Sequence, residues 1–138
     1  MLKRNANWPE ALAAEIARAW AKPFTWGEND CCLFACDCAL AMTGTDMAAS
    51  LRGYRNYEEA QAVLKRFGGV GAVADAMAER YGIAGIAPLR ARRGDVCLID
   101  IGRGETLGVC AGDRILCPGL RGLVAYPLLN GIRAWEIG

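Results

Sequence analysis

The sequence predicts an α+β fold, with helices in the first part of the chain and strands in the second. Up to about residue 81, apolar residues recur at helical spacing between Asn caps and glycine stops. From Arg93-Gly94 onward, short β-rich runs are separated by Gly, Pro, Asn and Asp, as in an antiparallel sheet. Helices followed by strands favour α+β over alternating α/β. A length of 138 residues predicts a single domain over residues 1–138.

Four helices are expected. The first begins at Asn7-Trp8-Pro9-Glu10, which resembles a capping box, and ends at Lys22-Pro23. The second runs from about Asp30 to Met42 with Asn29 or Asp30 as its N-cap. Because it is apolar on most sides, we expect it to be the central buried helix. The third and fourth are expected over 56–67 and 70–81, the third with an Asn-x-x-Glu cap.

Five strands are expected over the runs 95–101, 106–111, 114–117, 123–126 and 132–137. We expect Trp8, Trp20 and Trp135 to be core or interface anchors.

Composition excludes several classes of function. The net charge is +1, and no stripe of Lys and Arg is large enough to bind nucleic acid or an anionic membrane by charge alone. No apolar run approaches the roughly 20 residues that a membrane span needs. The N-terminus has no apolar segment of a secretory signal. An odd number of cysteines, seven, is unusual for a secreted disulfide scaffold, so we expect free thiols in a protein made in the cytoplasm.

Four of the cysteines, Cys31, Cys32, Cys36 and Cys38, are clustered on the second helix and raise the alternative of a metal or iron–sulfur site. At 100° per residue they fall on two adjoining faces. They contain no C-x-x-C pair, and the chain has no histidine to complete a ligand set. We therefore expect no metal and no cofactor, and interpret most of the cysteines as small core residues.

One segment resembles a known enzyme family. Pro23–Leu33, with the sequence PFTWGENDCCL, resembles the Pro-Tyr-x-Trp-Gly-Gly … Asp-Cys-Ser-Gly-Leu signature of NlpC/P60 peptidases, papain-like enzymes that cut bacterial cell-wall peptides. The resemblance implies a papain-like fold with Cys31 at the nucleophile position, where a helix N-terminus favours a thiolate. Gly94-Asp95-Val96 matches the turn into the first sheet strand of that family. Thr106 falls where the family has its histidine base, and a base-orienting polar residue would fall near Leu116 or Cys117.

Three departures from the family pattern point to a degenerate site. The chain has no histidine, and Thr106 cannot accept a proton from a thiol near neutral pH. General-base help is worth roughly 10²–10⁴-fold in rate. Phe24 replaces a tyrosine whose hydroxyl lies beside the nucleophile, and Cys32 replaces a serine. Cys31 is then a vestigial nucleophile, expected as a small residue packed under Trp26, with a reactive but non-catalytic thiol as the alternative.

The whole chain also resembles short proteins encoded among phage and prophage tail genes. They share an Asp-Cys-Cys-Leu segment, a stretch like Thr43 to Tyr54, and a terminal Ala-Trp like Ala134-Trp135. This resemblance implies a place in the tail tip or baseplate of a phage, prophage or gene-transfer particle, with the tail hub and tail fibre as neighbours. Arg52 and Tyr54 are candidate docking residues because their types are enriched at binding hot spots. An ordinary surface loop is the other interpretation of this segment.

Three functions follow from these patterns. The first is a structural tail-tip component with a degenerate cell-wall peptidase fold. The second is a peptidoglycan-degrading cysteine peptidase or amidase that uses Cys31 with a base from a partner subunit. The third is a protein with a Cys-ligated metal.

Overall fold

The computed structural model describes residues 2–138 and confirms the α+β prediction. Four helices precede an antiparallel six-stranded sheet. The helices are α1 (Trp8–Ala19), α2 (Cys31–Thr43), α3 (Tyr57–Phe67) and α4 (Val70–Tyr81). The strands are β1 (Gly85–Ile86), β2 (Val96–Asp100), β3 (Glu105–Cys110), β4 (Arg114–Gly119), β5 (Gly122–Pro127) and β6 (Gly131–Trp135).

Helix α2 is the central buried helix, as its apolar sequence predicts. Asp30 caps it, because the N–H of Leu33 donates to Asp30 Oδ1 over 3.0 Å. The helix ends at Gly44, which has the left-handed backbone (φ 78°) that glycine adopts without a steric penalty. Nine of its thirteen residues are buried, so its position in the core is fixed by packing on nearly all sides.

Helix α1 departs from the prediction at both ends. Asn7 precedes the helix, but its side chain makes no capping hydrogen bond, so the capping box predicted there is wrong. The helix ends at Ala19, before Lys22-Pro23. Of the three predicted tryptophan anchors, Trp135 is buried and Trp8 is partly buried against the core, whereas Trp20 is 57% exposed. Trp20 lies just beyond the last helical turn, and the core does not cover it.

Helices α3 and α4 lie where the sequence predicts them. The Asn56 side chain accepts the N–H of Glu59 over 2.9 Å, and α3 ends at Gly68. Helix α4 begins directly after Gly69 and buries Val73 and Met77.

The strand order of the sheet is β1-β6-β2-β3-β4-β5. Strands β3 and β4 pair only at Val109–Leu116 and Cys110–Ile115, so residues 105–108 of β3 have no partner on β4. Gly108 is the first residue of β3 beyond this pairing. A Cβ on it would lie 2.6 Å from Cys117 Sγ, so the close approach of β4 at this position requires glycine. The two-residue strand β1 was not predicted, because it is too short to show an alternating pattern.

Helix α2 packs on one face of the sheet, where it contacts β3 and β4. This face contributes Leu98, Leu107 and Val109 to the main core. The opposite face carries a smaller cluster that includes Cys97 and Ile115. The start of α2 is thereby held against the unpaired part of β3.

The turn into β2 holds a fully buried carboxylate. Asp95 accepts hydrogen bonds from Arg4 Nη2 (2.9 Å), the N–H of Arg92 (2.8 Å) and the N–H of Ile137 (3.0 Å). Arg4 also stacks over the ring of Trp8 at 4.3 Å. The Gly-Asp-Val turn therefore joins segments from both ends of the described chain.

Within residues 2–138, none of the helices has the length and apolar character that crossing a membrane requires.

Candidate functional site

A groove of about 990 Å³ opens beside the N-terminus of α2. Its walls come from α3, the start of α4, the segment before α2 and the β2–β3 connection. Cys31 and Thr106 both line it, so the structure brings together the predicted nucleophile and base positions. Tyr54 also lines this groove, whereas Arg52 does not.

Cys31 is the first residue of α2, and its thiol interacts with β3. The hydroxyl of Thr106 and the backbone N–H of Leu107 are near enough to the sulfur to lower its pKa. Leu107 belongs to the part of β3 that has no partner on β4, which leaves room for the start of α2 at this position. The site thus offers the sulfur a backbone donor, a hydroxyl and a helix N-terminus, all of which stabilise negative charge.

Cys31 is the cysteine whose pKa is lowered, whereas the pKa values of the other six are raised. The hydrogen bond with Cys32 is the largest influence, and together with those from Thr106 and Leu107 it lowers the pKa of Cys31 to about 7, against burial and the charge of Asp30. The same bond with Cys31, followed by burial, raises the pKa of Cys32 well above its ordinary value. Cys32 therefore remains a neutral thiol next to Cys31.

The cap of α2 is tied to the segment that follows it. Asp30 is buried, and its Oδ2 accepts the hydroxyl of Tyr54 at 2.5 Å and the N–H of Gly27 at 3.0 Å. Burial, and then the hydrogen bond to Asp30, raises the pKa of Tyr54, so its hydroxyl remains protonated as a donor. A Cβ on Gly27 would overlap the backbone oxygen of Tyr54, which explains why the Trp-Gly pair precedes this cap.

Aromatic rings form the side of the groove next to the thiol. Trp26 makes edge-to-face contacts with Phe24 (4.6 Å between centroids) and Tyr57 (5.6 Å). Cys31 is 9% exposed at the groove surface, so it is buried like a core residue and also reaches the groove.

The other cysteines are buried free thiols. Burial raises the pKa of Cys36 and of Cys117 to about 12. Leu116 and Cys117, where a base-orienting residue was expected, are both buried in β4, and neither side chain can orient a base near neutral pH. Among residues 2–138, no three His, Cys, Asp or Glu side chains are grouped so that they could hold a metal ion.

The two candidate docking residues have partners within the chain. Arg52 forms ion pairs with Asp37 (2.8 Å) and Asp46 (3.1 Å), and Tyr54 is bonded to Asp30. Arg52 keeps an exposed side chain, whereas Tyr54 is half-buried in the groove. Their role in docking stays a prediction. The contact between Tyr54 and Asp30 was not predicted, because it joins positions 24 residues apart.

The arrangement can hold a thiolate at the start of α2. Proton transfer is the missing component. Glu105 is the carboxylate on β3 that lines the groove, and its Oε1 accepts the N–H of Gly71 at 3.4 Å, toward α4. Thr106 at the base position cannot take the thiol proton or protonate an amine leaving group.

Comparison with known proteins gives one match. Neither the curated proteins nor the solved structures contain a match to the chain. A family model described as a domain of unknown function (DUF6950) matches residues 3–137. The chain therefore belongs to the DUF6950 family.

Proposed function

We propose that this protein is a tail-tip or baseplate component of a phage, prophage or gene-transfer particle, with a degenerate NlpC/P60-type, papain-like peptidase fold. It acts by binding neighbouring tail proteins, among them the tail hub and the tail fibre. The observation that carries the proposal is the pairing of Cys31 with Thr106 in an open groove. Cys31 is present at the nucleophile position, but Thr106 stands where the family has its histidine base. This combination favours a role that depends on the shape of the domain and not on catalysis.

The low net charge supports binding through apolar and hydrogen-bonded contacts more than through long-range attraction. A stable interface would need to bury at least about 1,000 Å². In this proposal the free protein is made in the bacterial cytoplasm, and its working form is bound to other subunits in the virion tail.

The proposal is tested in particles that lack the gene for this protein. We expect tails that are incomplete or not infectious, with normal tails restored when the gene is supplied in trans. The same rescue is expected from a gene encoding Cys31→Ala, because the proposed role needs no thiol chemistry. Intact and infectious tails without the gene would contradict the structural role.

The second candidate function is a cysteine peptidase or amidase that acts on peptidoglycan with a base from a partner subunit. The acidic thiol of Cys31 favours it, because the thiolate is the form of cysteine that attacks a carbonyl carbon. We expect the pure chain to leave peptidoglycan stem peptides uncleaved, because it has no imidazole.

Adding purified tail subunits to the same assay distinguishes the two functions. Turnover that appears only with a partner and disappears in Cys31→Ser would support the second function. Turnover by the pure chain that depends on Cys31 would contradict both.

A further inference from the structure

We infer that Tyr54 is a positioning residue for the Cys31 thiol, acting through the Asp30 carboxylate. Tyr54 reaches the cap from the segment between α2 and α3, and its hydroxyl donates to Asp30 Oδ2 at 2.5 Å. The other oxygen of this carboxylate accepts the N–H of Leu33 in the first turn of α2. Tyr54 therefore contacts the Asp30 carboxylate, which caps α2 at the position where Cys31 begins the helix.

The geometry gives this contact an electrostatic role as well as a mechanical one. Asp30 is 1% exposed, so water does little to screen its charge from the adjacent thiol. That charge raises the pKa of Cys31 and opposes formation of the thiolate. A hydroxyl donated to the carboxylate draws charge away from the sulfur, and Tyr54 supplies that hydroxyl.

Several groups surround the Cys31 sulfur and contribute to its titration. Asp30 and Cys32 adjoin it along the chain, and Tyr54 of the α2–α3 segment and Cys117 of β4 are near enough to feel its charge. Strand β3 contributes the neutral hydroxyl and N–H described above. Arg103 and Glu105 also line the groove from the β2–β3 connection and β3, and Tyr57 and Lys65 line it from α3. The effect of Tyr54 is isolated from these groups by comparing variants that differ only at positions 30 and 54.

The test is the pH profile of alkylation of Cys31 by iodoacetamide, with the modified site identified by peptide fragmentation so that Cys31 and Cys32 are distinguished. In Tyr54→Phe the hydroxyl is absent and the ring remains. We expect the midpoint of the profile to move up by about half a unit to one unit. Tyr81→Phe, which removes a hydroxyl outside the groove, is the matched control and should leave the midpoint in place.

A double variant separates the electrostatic path from a general loosening of the fold. Asp30→Asn keeps an oxygen that can cap the helix but removes the charge. In that background, Tyr54→Phe should shift the midpoint no further, because the charge through which Tyr54 acts is gone. An unchanged midpoint in Tyr54→Phe alone, or an equal shift in the Asp30→Asn background, would overturn the inference.

Two further measurements keep the test decisive. Cys38 is fully buried, and its alkylation in the folded protein reports any general opening of α2. If Tyr54→Phe does not fold, 3-fluorotyrosine at position 54 gives a more acidic, stronger donor and retains the ring. The midpoint should then move down, and a midpoint that stays or rises would refute the inference. The reagent requires neither tail assembly nor peptide hydrolysis, so these outcomes are independent of the proposed function.

Discussion

Replacing Asp95 with alanine should remove a large part of the stability of this fold. The carboxylate is fully buried and accepts three hydrogen bonds, from Arg4 and from the N–H groups of Arg92 and Ile137. Breaking a buried ion pair by removing one partner costs about 3–5 kcal/mol, because the other charge is left uncompensated. A buried N–H left without an acceptor costs about 1–3 kcal/mol.

Arg4 retains part of its bonding in the variant, which limits the loss. Its guanidinium also donates to the backbone oxygens of Ile137 and Arg93, each at 2.7 Å. We therefore take the lower end of the range for the broken pair, and with two N–H groups also left without an acceptor we expect Asp95→Ala to lower the free energy of unfolding by at least about 3 kcal/mol. Domains of this kind are stable by only about 5–15 kcal/mol, so the variant would be marginal.

Urea unfolding followed by tryptophan fluorescence measures this change by linear extrapolation. Asp95→Asn keeps one acceptor oxygen and should lose less than alanine does. Asp113→Ala, at an exposed turn position, is the control and should lie within about 0.5 kcal/mol of the parent protein. A loss below about 1 kcal/mol in Asp95→Ala, at an unchanged urea dependence, would refute the assignment of Asp95 as the residue that joins these segments.

Three other outcomes are expected. The pKa of Cys31 in the folded protein is about 7, below its ordinary value, so alkylation of this thiol should be slow in acid and reach half its maximum rate near pH 7. A midpoint near that of free cysteine would contradict the described contacts. Thr106→His should move that midpoint further down by placing an imidazole beside the sulfur, and an unchanged midpoint would show that the geometry of a dyad is absent. Particles carrying Arg52→Ala should contain less of this subunit, as measured by quantitative mass spectrometry, and full occupancy would exclude Arg52 from the docking contacts.

The helices and most strands could be predicted because their signals are local. The Asn56 cap, the Asp30 cap and the glycines that end α2 and α3 each act within a few residues of the helix that they limit. Asn7 has the same residue type as Asn56, yet its side chain makes no capping bond. Its backbone lies near φ −94° and ψ 21°, whereas Asn56 has the extended conformation that directs a cap side chain back to the helix. Residue type alone does not separate these two cases.

The candidate site was predicted in part, through the resemblance of one segment to a peptidase signature. That resemblance identified the helix start at Cys31 and the strand position of Thr106, and the structure brings the two together. It gave no indication of Tyr54, because the family pattern has its hydroxyl at the position of Phe24. The hydroxyl in this chain comes from a different segment, and only the tertiary fold reveals that it reaches the cap.

The segment between α2 and α3 therefore has two separable connections to the rest of the molecule. Tyr54 is bonded to the buried cap of α2, so a docking test that replaces both Arg52 and Tyr54 would also disturb the thiol site. Arg52 pairs on the surface with Asp37 and Asp46, and exposed pairs of this kind contribute about 0–1 kcal/mol to stability. Removing Arg52 alone should therefore leave the fold and the cap in place. A loss of subunit from particles that carry Arg52→Ala would then reflect the docking surface. A shift in Cys31 reactivity in Tyr54→Phe, with no loss of subunit from particles, would reflect the contact of Tyr54 with the cap.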